Sequence, residues 1–194
     1  MLRKVWVLAA FLVALSGITT AAQEKKGPLY ATIKTSAGDV VVLLFEDKAP
    51  KTVANFVGLA TGTKEWTDPK SRQQVKRPLY NGTIFHRVIA GFMIQGGDPE
   101  GTGFGGPGYT IKDELPPSNR NARGTISMAN AGPNTGGSQF FINVVDNRGL
   151  DRKHPVFGRV VAGMEIVDAI SRTAKDSQDR PRTKVTIQKA SFLP

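Results

Sequence analysis

Gln139-Phe140-Phe141-Ile142-Asn143-Val144-Val145 follows the glycine pair Gly136-Gly137 and is rich in aromatic and β-branched residues. A run of that kind behind a turn signal predicts a β-strand. Side chains alternate along a strand, so Gln139 and Phe141 share one face and Phe140 and Ile142 the other. If the apolar pair Phe140 and Ile142 faces a core, Gln139 and Phe141 stand on an outer wall. A polar residue beside a large apolar one recurs nearby: Phe85 with Arg87, and Met93 with Gln95.

Further strands are predicted over residues 83–89, after the Asn81-Gly82 turn, and over 92–95, 124–128, 156–161 and 184–192. Residues 31–35 and 40–45 flank Ser36-Ala37-Gly38-Asp39 and predict a hairpin. Between them and the later strands the period changes. Val53, Phe56, Val57 and Ala60 fall at i, i+3, i+4 and i+7, with Pro50 near the start and Gly62 past the end, as in an amphipathic helix. A second, shorter helix over residues 163–171 places Met164, Val167 and Ile170 on one side. Residues 64–78 are polar, contain Pro69 and predict a surface loop. Short strands with two helices suggest a mainly antiparallel barrel or sandwich. In a closed eight-stranded barrel the interior is filled by side chains, which leaves the outer wall for a substrate.

The 194 residues suffice for one domain, and 21 glycines, many between positions 91 and 108 and between 124 and 137, suit a turn-rich β fold. Arg3 and Lys4 precede an uncharged, mostly apolar run of 14 residues from Val5 to Ile18, and Thr20-Ala21-Ala22 offers small residues for cleavage. This predicts an export signal peptide over residues 1–22 and a polar linker over 23–28, with one domain over 29–194. A spanning helix needs about 20 apolar residues, so the run is short for an anchor. The expected location is the periplasm, with secretion as the alternative. The chain has no Cys, which excludes a disulfide framework, a thiolate nucleophile and a lipid-modified N-terminal cysteine.

Cleavage would lower the formal charge from +10 to +8 by removing Arg3 and Lys4. The positive residues are scattered, and Lys70-Ser71-Arg72-Gln73-Gln74-Val75-Lys76-Arg77 has no interleaved aromatics on which bases could stack. A solvated surface is the favoured reading over a nucleic-acid partner. Gly101-Thr102-Gly103-Phe104-Gly105-Gly106 fits a dinucleotide pattern, yet Pro107-Gly108 follows where a helix would have to begin. Asn81-Gly82-Thr83 reads as a turn before a glycosylation site, and the only two histidines, His86 and His154, lack a spaced carboxylate motif for a metal. No G-x-S-x-G occurs, which weakens a hydrolase reading. Neither cofactor nor metal is expected.

Three segments carry a resemblance. They are Phe85-His86-Arg87-Val88-Ile89-Ala90-Gly91-Phe92-Met93-Ile94-Gln95-Gly96-Gly97-Asp98, then Ser127-Met128-Ala129-Asn130-Ala131-Gly132-Pro133-Asn134-Thr135, then Gly136-Gly137-Ser138-Gln139-Phe140-Phe141-Ile142-Asn143. In order and spacing they closely resemble the signature segments of cyclophilins, and Val156-Phe157-Gly158-Arg159-Val160 with Gly163-Met164 extends the match. The resemblance implies a closed eight-stranded antiparallel β-barrel capped by two α-helices, monomeric, with peptidyl-prolyl cis–trans isomerase activity. It also implies that Arg87 is catalytic, that Phe92, Met93, Phe141 and Leu150 line a proline pocket with His154 at its edge, that Gln95, Asn130 and Gln139 hold the peptide backbone, and that Ala129 and Ala131 line a neighbouring pocket. The 64–78 loop is longer than in compact eukaryotic members and resembles a bacterial feature.

The chemistry asks little more of the residues. Rotating an X–Pro bond faces about 18–20 kcal/mol because the twisted amide loses its resonance. No acid, base or nucleophile is strictly required; the site must bind the twisted amide better than either planar form. The twisted nitrogen recovers a lone pair, for which a fixed Arg is a suitable donor. Expected partners are proline-containing peptides and unfolded exported proteins; a peptide-binding chaperone or holdase using the same groove with little turnover is the rival function. One departure from the family stands out. Many members, particularly those sensitive to cyclosporin, carry Trp before the Leu-Asp matched here by Leu150-Asp151, where this chain has Gly149. Loss of that aromatic wall and its indole N–H is expected to weaken cyclosporin binding but spare catalysis.

Overall fold

The computed structural model describes residues 27–193, so the predicted signal peptide and most of the 23–28 linker lie outside the described residues. The first two strands, β1 (Tyr30–Thr35) and β2 (Gly38–Leu44), pair as the expected hairpin, with Tyr30 opposite Leu43 and Thr35 opposite Gly38. Their alternation buries Ala31, Ile33, Val40, Val42 and Leu44. Helix α1 (Pro50–Thr61) starts on its proline and stops at Gly62, whose φ of 78° is left-handed. A Cβ at Gly62 would also sit 2.6 Å from the Arg77 carbonyl carbon, so both backbone and space require glycine. The N-terminus of α1 is capped from far along the chain: Glu114 accepts from the Lys51 N–H at 3.1 Å and the Thr52 N–H at 2.8 Å. A carboxylate there satisfies orphan donors and complements the helix dipole.

The remaining elements are β3 (Trp66–Thr67), β4 (Gln74–Val75), β5 (Arg87–Ile89), β6 (Met93–Gly96), β7 (Thr125–Met128), β8 (Phe140–Asn143), a 3₁₀ turn at Arg148–Leu150, β9 (Val156–Ala162), α2 (Met164–Ser171) and β10 (Ile187–Leu193). Eight strands form one antiparallel sheet in the order β10-β1-β2-β9-β7-β8-β6-β5, and β3 and β4 make a separate small hairpin. The expected closed barrel is not found: the sheet is an open, curled half-barrel. Its edge strands β5 and β10 share no ladder. The gap is crossed beside β5 by residues 82–85, through the Ile84–Thr186 bridge, the Phe85 N–H to Val185 carbonyl bond at 3.0 Å, and the bonds at 2.8 Å that Ile187 exchanges with Gly82 and Thr83.

That crossing also corrects the strand predicted over residues 83–89. Ile84 still pairs with Asp98 in the β5–β6 register but also bridges Thr186, and Phe85 bonds Val185, so the strand is interrupted between Phe85 and Arg87. Phe85 therefore enters the core, 6.2 Å edge-on from Phe140, while Arg87 faces the outer wall, so the two do not share a face. Met93 and Gln95 do share one. The core is centred on Phe56, whose ring lies 5.1 to 6.2 Å from those of Tyr80, Phe140, Phe157 and Phe192. Residues 64–78 are not a simple polar loop. Trp66 is fully buried and donates its indole N–H to the Arg77 carbonyl at 2.8 Å, which anchors the β3–β4 hairpin.

Candidate active site

Register places the central side chains. Arg87 on β5 lies opposite Gln95 on β6, and Gln95 opposite Phe141 on β8, so the three form one row across adjacent strands. Met93, two residues before Gln95, belongs to the same face. These residues line a groove of about 320 Å³ together with Phe92, Ala129, Asn130, Leu150 and His154. Phe141 and Met93 are buried yet stand apart from the main core, because the loop over β8 covers their side of the sheet.

That covering loop is tied down by asparagines. Asn147 donates to the Phe92 carbonyl at 2.9 Å and to Asn143 Oδ1 at 2.7 Å. Buried Asn121 donates its side-chain N–H to the His154 carbonyl at 3.2 Å, and its backbone N–H to Asp151 Oδ1 at 2.6 Å. Asn119, also buried, donates to the Asp151 and His154 carbonyls. His154 is thereby fixed, with its ring 5.3 Å edge-on from Phe141. Its Nδ1 lies 3.1 Å from the Met128 carbonyl, which can only accept, so Nδ1 carries the proton and Nε2 a lone pair. Burial pushes the His154 pKa down, with the Met128 bond opposing.

Arg87 is half-exposed, and its Nε lies 3.9 Å from Asp179 Oδ2, an ion pair too long to be a hydrogen bond. Asp179 accepts instead from Lys175 Nζ at 2.6 Å. The guanidinium thus keeps its donors for a ligand. Nine of the eleven expected site residues border this groove; Ala131 and Gln139 do not. They line an adjoining cleft of about 450 Å³ that shares Gln95, Ala129 and Asn130 with it.

Gln139 is already occupied. Its Nε2 donates to the Gly103 and Gly105 carbonyls at 3.0 and 2.8 Å, and its Oε1 accepts from Gln95 Nε2 at 2.9 Å. It therefore orients Gln95, whose amide nitrogen is taken up by Gln139. Asn130 donates to the Lys153 carbonyl at 2.7 Å and keeps its own oxygen as an acceptor.

The glycine loop is held in turn by Asp98, which is fully buried. Its carboxylate accepts the N–H groups of Glu100, Thr102, Gly103 and Gly105 at 2.6 to 3.2 Å. Burial alone would raise the Asp98 pKa, but the bonds from Glu100, Gly103 and Gly105 outweigh it and hold it low. These amides would have to cradle phosphate in a dinucleotide site, and an internal carboxylate occupies them. Asp98, Asn119, Asn121, Asn147 and Asp179 are functional supports that sequence reasoning missed. Their signal is only that polar residues sit in loops, which does not say what they hold.

His86 is buried too, and burial lowers its pKa, with Asp98 opposing. An unfolded histidine titrates near about 6.5. Both histidines stay neutral in the folded protein to lower pH than that, so below about pH 6.5 the unfolded chain binds more protons. Stability present above that pH is expected to fall as pH drops through the folded values, whereas kcat/KM stays flat from about pH 6.5 to 8. Urea unfolding at pH 7.5 and 5.5, with exchange rates across the neutral range, checks both.

Residues 30–192 match the family described as cyclophilin type peptidyl-prolyl cis-trans isomerase/CLD. The peptidyl-prolyl cis-trans isomerase A of Mycobacterium tuberculosis is 51% identical over 161 residues, covering 81% of this chain and 88% of that protein. The isomerase B of Streptomyces anulatus is 51% identical over 164 residues, 82% of this chain and 94% of that one. Among solved structures, a Cryptosporidium parvum cyclophilin type isomerase superposes with a TM-score of 0.76 at 32% identity, covering 87% of this chain and 99% of its own. The same isomerase, crystallised in the presence of the dipeptide Ala-Pro, gives a TM-score of 0.74 at 33% identity over 85% of this chain and 99% of its own. A half-barrel bearing Arg87, Gln95 and Phe141 in one row, and half-identical relatives matched over most of their length, lead to one conclusion: the chain belongs to the cyclophilin-type peptidyl-prolyl cis–trans isomerases.

Proposed function

We propose that this isomerase accelerates X–Pro rotation by donating hydrogen bonds from Arg87 to the prolyl nitrogen as the amide twists. The carrying observation is the cross-strand row: Arg87, Gln95 and Phe141 hold a cation, an acceptor and an aromatic wall in one line on rigid strands. Phe141, Met93, Phe92 and Leu150 hold the proline ring, with neutral His154 at its edge. Gln95 and Asn130 hold the flanking backbone. Gln139 acts through Gln95, and Ala129 and Ala131 border the neighbouring cleft. At about 320 Å³ the groove is at the small end of ligand sites, which suits one proline and its adjoining peptide units. Proton transfer has no part in this scheme.

Clients are unfolded polypeptides exported with the protein, a reading that rests on Arg3, Lys4 and the apolar run behind them. N-terminal sequencing of the mature protein from fractionated cells tests it. The catalytic reading is tested by NMR lineshapes of a cis/trans proline peptide. Exchange broadening at substoichiometric protein supports it, whereas binding without acceleration would make the protein a holdase.

Inhibitor sensitivity separates from catalysis at Gly149. Gly149 is exposed, next to Leu150, and a Cβ there would meet nothing within 4 Å. Gly149→Trp is therefore accommodated, and the returned ring and indole donor should tighten cyclosporin binding by about 10-fold or more, given that an aromatic contact contributes roughly 0.5–1.5 kcal/mol beyond its buried area. Isomerisation should be essentially unchanged, since the twisted amide is met by Arg87 on β5 rather than by residue 149. Calorimetric titration of both forms checks the first and exchange NMR the second.

A further inference from the structure

Beyond the Arg87 groove, two more clefts follow in series. The 450 Å³ cleft shares Gln95, Ala129 and Asn130 with the groove, and on its far side it shares Phe104, Gly105, Gly106 and Gly108 with a third cleft of about 930 Å³. Phe104 stands on that dividing wall and is 97% exposed. A phenyl ring left wholly in water at the junction of two clefts is a contact awaiting a chain that runs across it.

The third cleft is bordered by Lys70, Arg72 and Lys184, all exposed, and none forms an ion pair among the described residues. Neighbouring carboxylates are engaged elsewhere. Asp68 pairs with Arg77 at 2.6 Å, and Asp98 is taken up by the amides of the glycine loop. Glu100 is the one other acid on the cleft, which leaves a positive surplus.

The cations are presented on an ordered frame. The Arg72 N–H bonds the Asp68 carbonyl at 2.8 Å, and the Lys70 N–H bonds Asp68 Oδ1 at 2.9 Å. Beneath them Trp66 is buried, and the Thr67 N–H donates to the Pro107 carbonyl at 2.9 Å. The hairpin is thereby fastened to the loop that floors the cleft. Three exposed side chains spread around an open cleft suit several carboxylates along a chain better than one phosphate.

We infer that the third cleft docks an acidic stretch of the same polypeptide whose X–Pro bond occupies the Arg87 groove, with Phe104 covering an apolar residue between them. This rests on the isomerase site proposed above and names the clients it favours: proline segments flanked by Asp and Glu. Charge complementarity of this kind acts mainly on capture, so it should appear in KM and affinity while kcat is unchanged.

The test uses labelled peptides with one proline core, extended on either side by four Glu or four Gln, read by fluorescence anisotropy and exchange NMR. At low salt the Glu peptide of one orientation should bind about 10-fold tighter than its Gln counterpart, and the difference should vanish near 0.5 M salt, where screening is complete within a few ångströms. The triple variant Lys70→Gln/Arg72→Gln/Lys184→Gln should abolish the preference while leaving exchange of the unextended core unchanged. Phe104→Ala should weaken both extended peptides about 3-fold, as loss of a partly buried ring contact would. Equal affinity for Glu and Gln peptides, or a preference that survives the triple variant, overturns the inference. So does displacement of the Glu peptide by a single-stranded oligonucleotide that binds tighter. Absence of exchange on the core peptide would instead overturn the isomerase reading, because anisotropy reports docking without turnover.

Discussion

Arg87→Ala is expected to lower kcat/KM on a proline peptide by roughly 10- to 150-fold, since a hydrogen bond to a charged group contributes about 1.5–3 kcal/mol and each 1.36 kcal/mol is tenfold. The loss should fall on kcat. Planar cis and trans amides have no lone pair to offer at nitrogen, so the Arg87 bond exists only in the twisted state, and an interaction confined to that state lowers kcat and kcat/KM together. The fold should tolerate the change. Arg87 is half-exposed, its contact to Asp179 is a 3.9 Å ion pair, and exposed pairs contribute at most about 1 kcal/mol. Arg87→Lys keeps a charge but loses the planar fork, and should recover only part of the rate. Equal, substantial activity in wild type and Arg87→Ala would remove Arg87 from the mechanism.

Phe140→Ala should instead strike stability, by about 3–5 kcal/mol, the usual cost of deleting a buried aromatic side chain. Phe140 is 1% exposed and meets Phe56 and Tyr80 at 5.7 Å and Phe85 at 6.2 Å. A Cβ at Gly97 would come within 3.0 Å of its ring, so the space around it is filled by contact rather than slack. At about 2–4 °C per kcal/mol for a domain of this size, Tm should fall by about 6–20 °C. Phe141→Ala, one residue on, also removes a buried ring and should lose stability. Because that ring lines the groove, the folded variant should lose activity as well, which folded Phe140→Ala should keep. Thermal unfolding with exchange NMR on both variants checks this division, and a Phe140→Ala protein that melts with wild type would refute it.

That pair shows what the sequence could tell. Alternation in residues 139–143 puts Phe140 and Ile142 on one face and Phe141 on the outer one, because a two-residue period is local and needs no knowledge of partners, while only the family resemblance makes that outer face a groove. The hairpin and α1 were legible for the same reason. What failed depended on distant chain. The interruption that separates Phe85 from Arg87 accompanies pairing of Ile84 and Phe85 with Thr186 and Val185, a hundred residues away. Trp66 reads as part of a polar loop because its indole is held by Arg77, eleven residues on, whose carbonyl accepts its N–H and whose guanidinium lies over its ring, rather than by its immediate neighbours. Openness of the sheet is likewise set by how far the edges curl, which no strand pattern records. The site residues are legible only through family resemblance, whereas Asn119, Asn121 and Asn147 hold the loop beside them by bonds across 30 to 55 residues, and Asp98 holds the glycine loop by bonds within seven residues that no local pattern announces.

The pairing of β1 with β10 has a practical side. Tyr30 stands opposite Leu193, so the two ends of the folded domain meet on adjacent strands. A few added residues could join them covalently, and new ends could be opened at the exposed Lys70–Arg72 tip without cutting any strand of the eight-stranded sheet. A circularly permuted enzyme of this design would bring its termini out beside the acidic-segment cleft, where a fused client or reporter could be offered directly to the groove.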